Sequence, residues 1–309
     1  MSISLLGDSE LPAECAVHEA LHWAAQHLEA VEGRAHQQAR WLLAEVREQS
    51  TTQLAADARA SLTEAERQQF MTLVARRMQG EPLQHVLGHT NFYGLRIQVS
   101  PDVLIPRPET EAVVERALAL LADVEAPRIF DAGTGSGCIA CALKHERPGA
   151  RVAAGDVSEA ALDVARANGT ALGLDITWQP FDMAAPNAAA AVPGALDLLI
   201  SNPPYVPDDE ADTLSAVVRD YDPPEALFTG PDALRFYRAL ADWGYEAVQP
   251  GGYLLVETHT DGAESVARLF RTQGWIDVHQ KDDWTGRPRM VWGRRPSSSK
   301  LSSENTKRG

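Results

Sequence analysis

The chain has 309 residues, of which 44% are hydrophobic and 23% charged, the balance of a globular protein with room for one large domain and a small one. A formal charge of −15 argues against a broad nucleic-acid surface, because phosphate binding is driven by Lys and Arg; a protein partner, a basic one included, is easier to accommodate. No run of about 18 apolar residues is present to span a membrane. The stretch Met1 to Pro12 has neither a basic start nor an apolar core, so no signal peptide is expected. Three cysteines are too few for a disulfide framework and fit a reducing cytoplasm.

The first ~80 residues read as helices. Val17, Leu21, Ala24, Leu28 and Val31 share one face, and Ala35, Ala39, Leu42 and Val46 repeat the pattern. A third helix is expected to open at Thr63, with Glu66 completing a capping box. It turns Phe70, Leu73 and Val74 inward and ends at Gly80, with Pro82 beyond. The result is a small helical bundle over residues 1–85.

Beyond it the period changes. Phe92 to Val99 and Val103 to Ile105 predict two short strands around the turn-forming Ser100-Pro101-Asp102. Pro106 and Pro108 stiffen a linker, so residues 86–110 form a strand pair and connector ahead of a helix from Glu111 to Ala122. From there strands alternate with helices, the signature of a mainly parallel α/β sheet covered on both faces. The predicted strands are Arg128–Asp131, Arg151–Asp156, Leu196–Ser201 and Tyr253–Thr258. Trp275–Val278 and Met290–Arg294 close the sheet around a turn at Gly286. This domain covers residues 111–295, and the Ser-rich stretch 296–309 reads as a disordered tail.

The first of these strands runs into Gly133-Thr134-Gly135-Ser136-Gly137, and a helix starts at Cys138. Glycines let backbone approach a ligand, and the helix start offers free N–H groups. The spacing is G-x-G-x-G rather than the G-x-G-x-x-G of dinucleotide sites, so no pyrophosphate is required. The carboxylate of S-adenosylmethionine suits such a helix end equally well. Asp156 stands 19 residues past Gly137 (156 − 137), at the end of the next strand, placed to accept hydrogen bonds from both ribose hydroxyls. Its competing role is a helix N-cap, for which Ser158 is the better residue.

Strand Leu196–Ser201 delivers Asn202-Pro203-Pro204-Tyr205 at its C-terminal edge, where ligands bind in open α/β sheets. An Asn-Pro dipeptide alone is usually a turn, and Tyr205 alone could be a buried aromatic; the four together are more specific. A planar NH2 group conjugated to a carbonyl or ring is a poor nucleophile. The Asn202 side-chain oxygen and the Pro203 carbonyl can each accept one of its N–H bonds and hold the nitrogen toward a methyl donor. The prolines fix those acceptors, and Tyr205 can pack on the planar group. Because a sulfonium donor is already activated, alignment is the main requirement, worth about 7–11 kcal/mol in well-oriented reactants. No histidine base is needed.

Taken with Asn202–Tyr205, the run Val103-Leu-Ile-Pro-Arg-Pro-Glu-Thr-Glu111 resembles the HemK/PrmC family of release factor glutamine methyltransferases. The likeness extends from about Gly80 to Arg294 through Glu81-Pro82, His85, Gly88, Phe92, Pro224-Glu225-Ala226-Leu227 and Asp283-Trp-Thr-Gly286 with Arg289. The resemblance implies a class I S-adenosylmethionine-dependent methyltransferase fold, Rossmann-like, with a mainly parallel sheet, antiparallel closing strands and a small N-terminal helical domain that recognises the substrate. It implies that Gly133 to Gly137, Asp156, Asp182, Met183 and Asn202 bind S-adenosylmethionine. It further implies that Asn202 to Tyr205 hold the glutamine amide, with Arg107 and Glu109 on the substrate side. The target implied is the glutamine of a Gly-Gly-Gln loop in peptide chain release factors. Three positions depart from the family: Met183 stands where an aromatic or large apolar group is common, Tyr221-Asp222-Pro223 where a glutamate is usual, and Thr229-Gly230-Pro231 in a stretch usually richer in glycine. They bear on the lid expected over residues 206–235.

The alternatives differ in substrate. A glutamine methyltransferase acting on a ribosomal protein shares every chemical motif, though the run 107–111 is closer to the release-factor branch. An adenine-N6 methyltransferase uses the same Asn-Pro-Pro-Tyr logic, but the charge and the lack of a basic recognition domain disfavour it. His18-Glu19-Ala20-Leu21-His22 matches the H-E-x-x-H zinc pattern, yet Leu21 sits on the core stripe and no third ligand is evident, so no metal is expected. Cys138 and Cys141 form a C-x-x-C whose better explanation is small side chains packing a helix on the sheet.

Overall fold

The computed structural model describes residues 11–31 and 34–297. The expected N-terminal stretch before Leu11, and the expected tail from residue 298 onward, lie outside the described residues. The chain divides into two compact units, Met1–His89 and Thr90–Gly309.

The first unit is helical: α1 (Val17–His27), α2 (Ala35–Val46), α3 (Thr51–Ala56), α4 (Glu64–Met78) and α5 (Leu83–Leu87). The capping box of α4 forms as its sequence dictates: the Glu66 N–H reaches Thr63 Oγ1 at 3.2 Å while the Thr63 N–H reaches a Glu66 carboxylate oxygen at 2.7 Å. Ser50 and Gln53 cap α3 in the same way. Val17, Ala24, Leu28, Leu42, Phe70 and Val74 are fully buried in a shared core, whereas Leu73 is half-buried at its margin. The short helices α3 and α5 have no counterpart in the sequence reading. One is polar and a turn and a half long, and the other follows Pro82, the residue that reads as a helix stop.

A hairpin of β1 (His89–Phe92) and β2 (Leu95–Gln98) follows. This corrects the expected strand pair. The turn lies at Tyr93-Gly94, with φ of 51° and 76°, inside the stretch expected to be one continuous strand. Positive φ at both central residues gives the tight turn that matches strand twist. Val103–Ile105 pairs with no strand among the described residues. The Ser100–Asp102 turn does form, Val103 N–H closing on the Ser100 carbonyl at 3.2 Å, but Val103 is buried by packing on Val99 and Ala161.

The large sheet contains β3 (Arg128–Ala132), β4 (Arg151–Asp156), β5 (Ile176–Pro180), β6 (Leu196–Ser201), β7 (Val248–Glu257), β8 (Ile276–Asp282) and β9 (Pro288–Arg294), in the spatial order β5-β4-β3-β6-β7-β9-β8. The first five in that order are parallel; β9 runs antiparallel to both β7 and β8. The edge strand β5 was absent from the sequence reading. Around the sheet lie α6 (Thr110–Leu120), α7 (Cys138–Glu146), α8 (Glu159–Ala171), α9 (Ala188–Ala191), α10 (Ala216–Tyr221), α11 (Pro224–Leu227), α12 (Arg235–Ala247) and α13 (Ala263–Thr272).

Two apolar layers sandwich the sheet. Ile129, Val152, Ala154, Leu198 and Leu255 face one side with α6 and α7, and Phe130, Leu199, Leu254 and Val256 face the other with α12 and α13. Full burial of side chains such as Phe130 and Phe270 contributes about 1.5–3 kcal/mol each. Strand order reverses between β3 and β6, and in open parallel sheets that switch point opens a crevice at the C-terminal strand ends. Asp131, Asp156, Asn202 and Glu257 all stand at or just past those ends.

Candidate active site

All three loop glycines occupy left-handed backbone: φ is 71° at Gly133, 54° at Gly135 and 78° at Gly137. The loop doubles back over the end of β4, where the N–H groups of Gly133 and Thr134 both reach the Gly155 carbonyl, at 2.8 and 3.1 Å. Asp156 completes the link. Its Oδ2 accepts the Gly135 N–H at 2.8 Å and its Oδ1 accepts the Ser158 N–H at 3.0 Å. Burial pushes its carboxyl above the ordinary value, against the opposing pull of those backbone N–H groups. The cap of α8 falls to Ser158, whose hydroxyl accepts the Ala161 N–H at 3.2 Å.

Asp131 lies fully buried beneath the loop, where its Oδ2 accepts the Thr134 hydroxyl at 2.6 Å. Burial, with a smaller contribution from the Asp156 charge, pushes it up to about 7 although the Thr134 bond opposes the rise. Asn168 holds the loop from outside. Its Nδ2 donates to the Ser136 carbonyl at 2.9 Å and to the Gln98 carbonyl at 3.0 Å, and its Oδ1 accepts the Gln98 N–H at 2.7 Å. One side chain on α8 thereby fastens the β2 end and the glycine loop together.

These elements wall a cleft of about 980 Å³ counted out to its open mouth. Gly133 to Ser136, Asp156, Asp182, Met183 and Asn202 line it; Gly137 does not, being packed against Trp178. Phe181 and Val157 add apolar surface, and Val157 is 65% exposed although it is a large aliphatic residue. Met183 is anchored through its carbonyl, which accepts the Trp243 indole N–H at 3.0 Å, while Asp182 caps the Ala184 N–H at 2.8 Å.

A second and larger cleft, about 1680 Å³ counted in the same way, lies beside the first. Asn202 and Arg107 line both; Pro204 faces the first, and Pro203, Tyr205 and Glu109 face the second. The Asn202–Tyr205 tetrad is therefore the partition between two spaces. Ser201 fixes its entry by donating its hydroxyl to the Ala132 carbonyl at 2.6 Å, which ties β6 to the start of the glycine loop. Tyr205 lies 5.8 Å from the His259 ring, tilted by 46°. Burial pushes its hydroxyl up to about 12, which keeps it a neutral phenol. Arg107 pairs with the buried Asp222 at 2.5 Å, so Asp222, at a departure from the family pattern, anchors a residue of the partition.

The segment expected as a lid is built from a 3-10 turn at Asp208–Thr213 followed by α10 and α11. Val206 and Thr229 join across it: the Thr229 N–H reaches the Val206 carbonyl at 2.9 Å. Thr110, in the run 103–111, does line the first cleft, whereas Phe181, Val157, Asn168 and Glu257 are not among the site residues expected from the sequence. A polar residue closing an apolar run, as Glu257 does after Leu254-Leu255-Val256, was the available signal for the last.

The remaining candidates are the His18/His22 pair on α1 and the two cysteines of α7, of which Cys138 also lines the first cleft. His18 Nδ1 is 2.9 Å from the Ala58 carbonyl and His22 Nε2 is 3.2 Å from Gln26. Among the described residues no group of three His, Cys, Asp or Glu side chains is arranged to hold a metal ion. Cys138 and Cys141 are free thiols buried in the core on α7, and burial pushes both up, Cys141 to about 12. Among the described residues no helix is long and apolar enough to cross a membrane.

Sheet order, switch-point crevice and glycine loop together define a class I methyltransferase fold. Residues 114–220 match the methyltransferase small domain, and residues 19–88 match the PrmC N-terminal domain. The chain is 39% identical to the release factor glutamine methyltransferase of Koribacter versatilis over 77% of its own length and 83% of that protein's. It is 42% identical to those of Chlorobaculum tepidum, over 75% and 81% of the two lengths, and of Bradyrhizobium diazoefficiens, over 79% and 82%. The chain belongs to the release factor glutamine methyltransferase family. In fold alone it is similar to the hMettl16 catalytic domain solved with the MAT2A 3'UTR hairpin 6, at 16% identity over 73% of this chain and 83% of that one, with a TM-score of 0.56.

Proposed function

We propose that this protein transfers a methyl group from S-adenosylmethionine to the side-chain amide nitrogen of the glutamine in the Gly-Gly-Gln motif of peptide chain release factors. The observation that carries the reading is the position of Asn202-Pro203-Pro204-Tyr205 as the wall shared by two clefts. A methyl donor on one side and an amide on the other meet only at such a partition.

The donor cleft has the groups the donor needs. Gly133 to Ser136 would let backbone approach it closely, the start of α7 would hold its carboxylate, and Asp156 would hold its ribose. Phe181, Met183 and Val157 offer apolar surface for a purine, with Asp182 beside them. When bound, S-adenosylmethionine supplies a methyl group already activated on a sulfonium. In the acceptor cleft the Asn202 side-chain oxygen and the Pro203 carbonyl accept the two amide N–H bonds, which turns the nitrogen lone pair toward the donor. Tyr205 packs beside the amide, and Arg107 and Glu109 meet the flanking chain. Family membership supports release factors as the protein substrate, and supports the helical unit, residues 1–85, as the part that recognises them. Encounter with release factors places the enzyme in the cytoplasm.

The test is mass spectrometry of release factor incubated with the enzyme and S-adenosylmethionine. One added methyl on the Gly-Gly-Gln glutamine is expected. An unmodified glutamine, with the methyl group recovered on adenine or on a ribosomal protein instead, would overturn the reading.

A further inference from the structure

Glu257 ends β7 beside the tetrad: Val256 pairs with Ser201, so Glu257 and Asn202 are the next residues on adjacent parallel strands. Its side chain is 1% exposed, and its Oε2 accepts the Thr110 hydroxyl at 2.7 Å. Thr110 in turn lines the donor cleft. The Glu257 backbone carbonyl accepts the Tyr237 hydroxyl at 3.1 Å, and Tyr237 lines the acceptor cleft. One buried residue thus braces both clefts from behind.

The charges around it do not cancel. Arg107 and Arg289 act on Glu257 from the connector before α6 and from β9, but Arg107 is paired with Asp222 and Arg289 lies 3.4 Å from Asp283. Glu109 adds a further negative charge, while Tyr205 and Tyr237 are held neutral by burial. Ionised Glu257 is therefore surplus negative charge behind the partition. Methyl transfer is favoured by such charge. As the amide nitrogen bonds the methyl carbon, the carbon–sulfur bond breaks with its electron pair going to sulfur. Positive charge passes from sulfur to nitrogen and departs as the amide proton is lost to water. A fixed anion aimed at the path of that charge favours the transition state.

We propose that Glu257 is a positioning residue of the transfer step, acting as a carboxylate through Thr110 and through the field it sets behind Asn202. This rests on the proposed function above. Burial pushes Glu257 up to about 7, against the Thr110 hydroxyl and the two arginines, so its charge changes near neutral pH.

The experiment compares full-length parent, Glu257→Gln and Glu257→Asp for kcat as a function of pH, with release factor and S-adenosylmethionine both saturating, and measures donor affinity by calorimetry. The parent should lose kcat as pH falls through about 7. Glu257→Gln, which keeps an acceptor for Thr110 and loses the charge, should be roughly 10- to 100-fold slower above that pH and lack the inflection, with donor affinity within a few-fold. Glu257→Asp, which restores the charge one methylene away, should recover part of the rate and the inflection. An inflection unchanged in Glu257→Gln would belong to another group and would overturn this inference alone. A parent that binds the donor yet leaves the release factor unmethylated would overturn the proposed function, and this inference with it.

Discussion

The Oδ2 atom of Asp156 accepts the backbone N–H of Gly135 at 2.8 Å, so the acid that ends β4 also sets the shape of the turn that leaves β3. Under the proposed function, donor binding depends on this carboxylate twice, through the loop it shapes and through the ribose hydroxyls it would face. Asp156→Ala should weaken S-adenosylmethionine binding by about 10- to 100-fold, the size expected for losing hydrogen bonds to a charged group. Circular dichroism should stay that of the parent, since the residue lies at a strand end rather than in the apolar layers. Donor affinity unchanged by calorimetry would remove Asp156 from the binding site.

Asn202 separates binding from transfer. Its removal takes away one of two amide acceptors while the glycine loop, Asp156 and Met183 remain in place. Asn202→Ala should lower turnover by ~10²–10³ and leave donor affinity within a few-fold. Methylation of release factor within a few-fold of the parent rate would sink the amide-clamp mechanism.

Gly137 cannot accept a side chain for two independent reasons. Its φ is 78°, and a Cβ there would come within 2.9 Å of the Trp178 ring and 3.0 Å of Ala165 Cβ. The left-handed conformation costs a non-glycine residue about 1–3 kcal/mol before any clash. Gly137→Ala should lower the urea midpoint by more than the conformational cost alone, and adding Trp178→Leu should relieve the excess relative to Trp178→Leu by itself. A midpoint equal to the parent's would show that the loop can reshape.

Sequence legibility tracked how local each physical cause is. The strands β4 and β6 were readable to the residue, because each is an apolar run bounded by its own turn signals. The Thr63–Glu66 box was readable because both its hydrogen bonds lie within one helical turn. The Tyr93-Gly94 turn was hidden inside a run of strand-forming residues, so the strand expected over Phe92–Val99 takes in the end of β1, the turn and β2. The edge strand β5 is short and ends at Pro180, which weakens its pattern. In the site, the glycine loop, Asp156 and the tetrad were legible as motifs with a fixed spacing. Asn168 and Glu257 were not, because their partners Gln98 and Thr110 lie 70 and 147 residues away in sequence.

Two buried carboxyls give stability a definite pH dependence. Burial pushes Asp131 and Glu257 up to about 7 from ordinary values of 3.8 and 4.5. The folded state holds each proton more tightly than the unfolded chain does, so this contribution is fully present below about 4 and is lost as pH rises through about 7. The urea midpoint should fall between pH 5 and pH 8. Asp131→Asn and Glu257→Gln should each fall less steeply than the parent over that interval. A parallel decline in all three proteins would place the titration on other groups.

The last expectation concerns what the first unit contributes. Every group assigned to the two clefts lies beyond residue 100, so the groups proposed to act on the reacting atoms belong to the second unit. A single glutamine side chain offers too little to distinguish one protein from another, and selective recognition requires a second contact surface. A fragment beginning at Thr90, the start of the second compact unit, should still bind S-adenosylmethionine, because the glycine loop and its supports Asn168 and Asp156 are retained. It should lose most of its efficiency toward intact release factor, chiefly in kcat/KM at low substrate, since the missing contact brings the substrate to the cleft. A short peptide containing Gly-Gly-Gln should be a poor substrate for fragment and parent alike, because it engages only the acceptor cleft. Equal efficiency of fragment and parent on full-length release factor would show that recognition resides in the second unit instead.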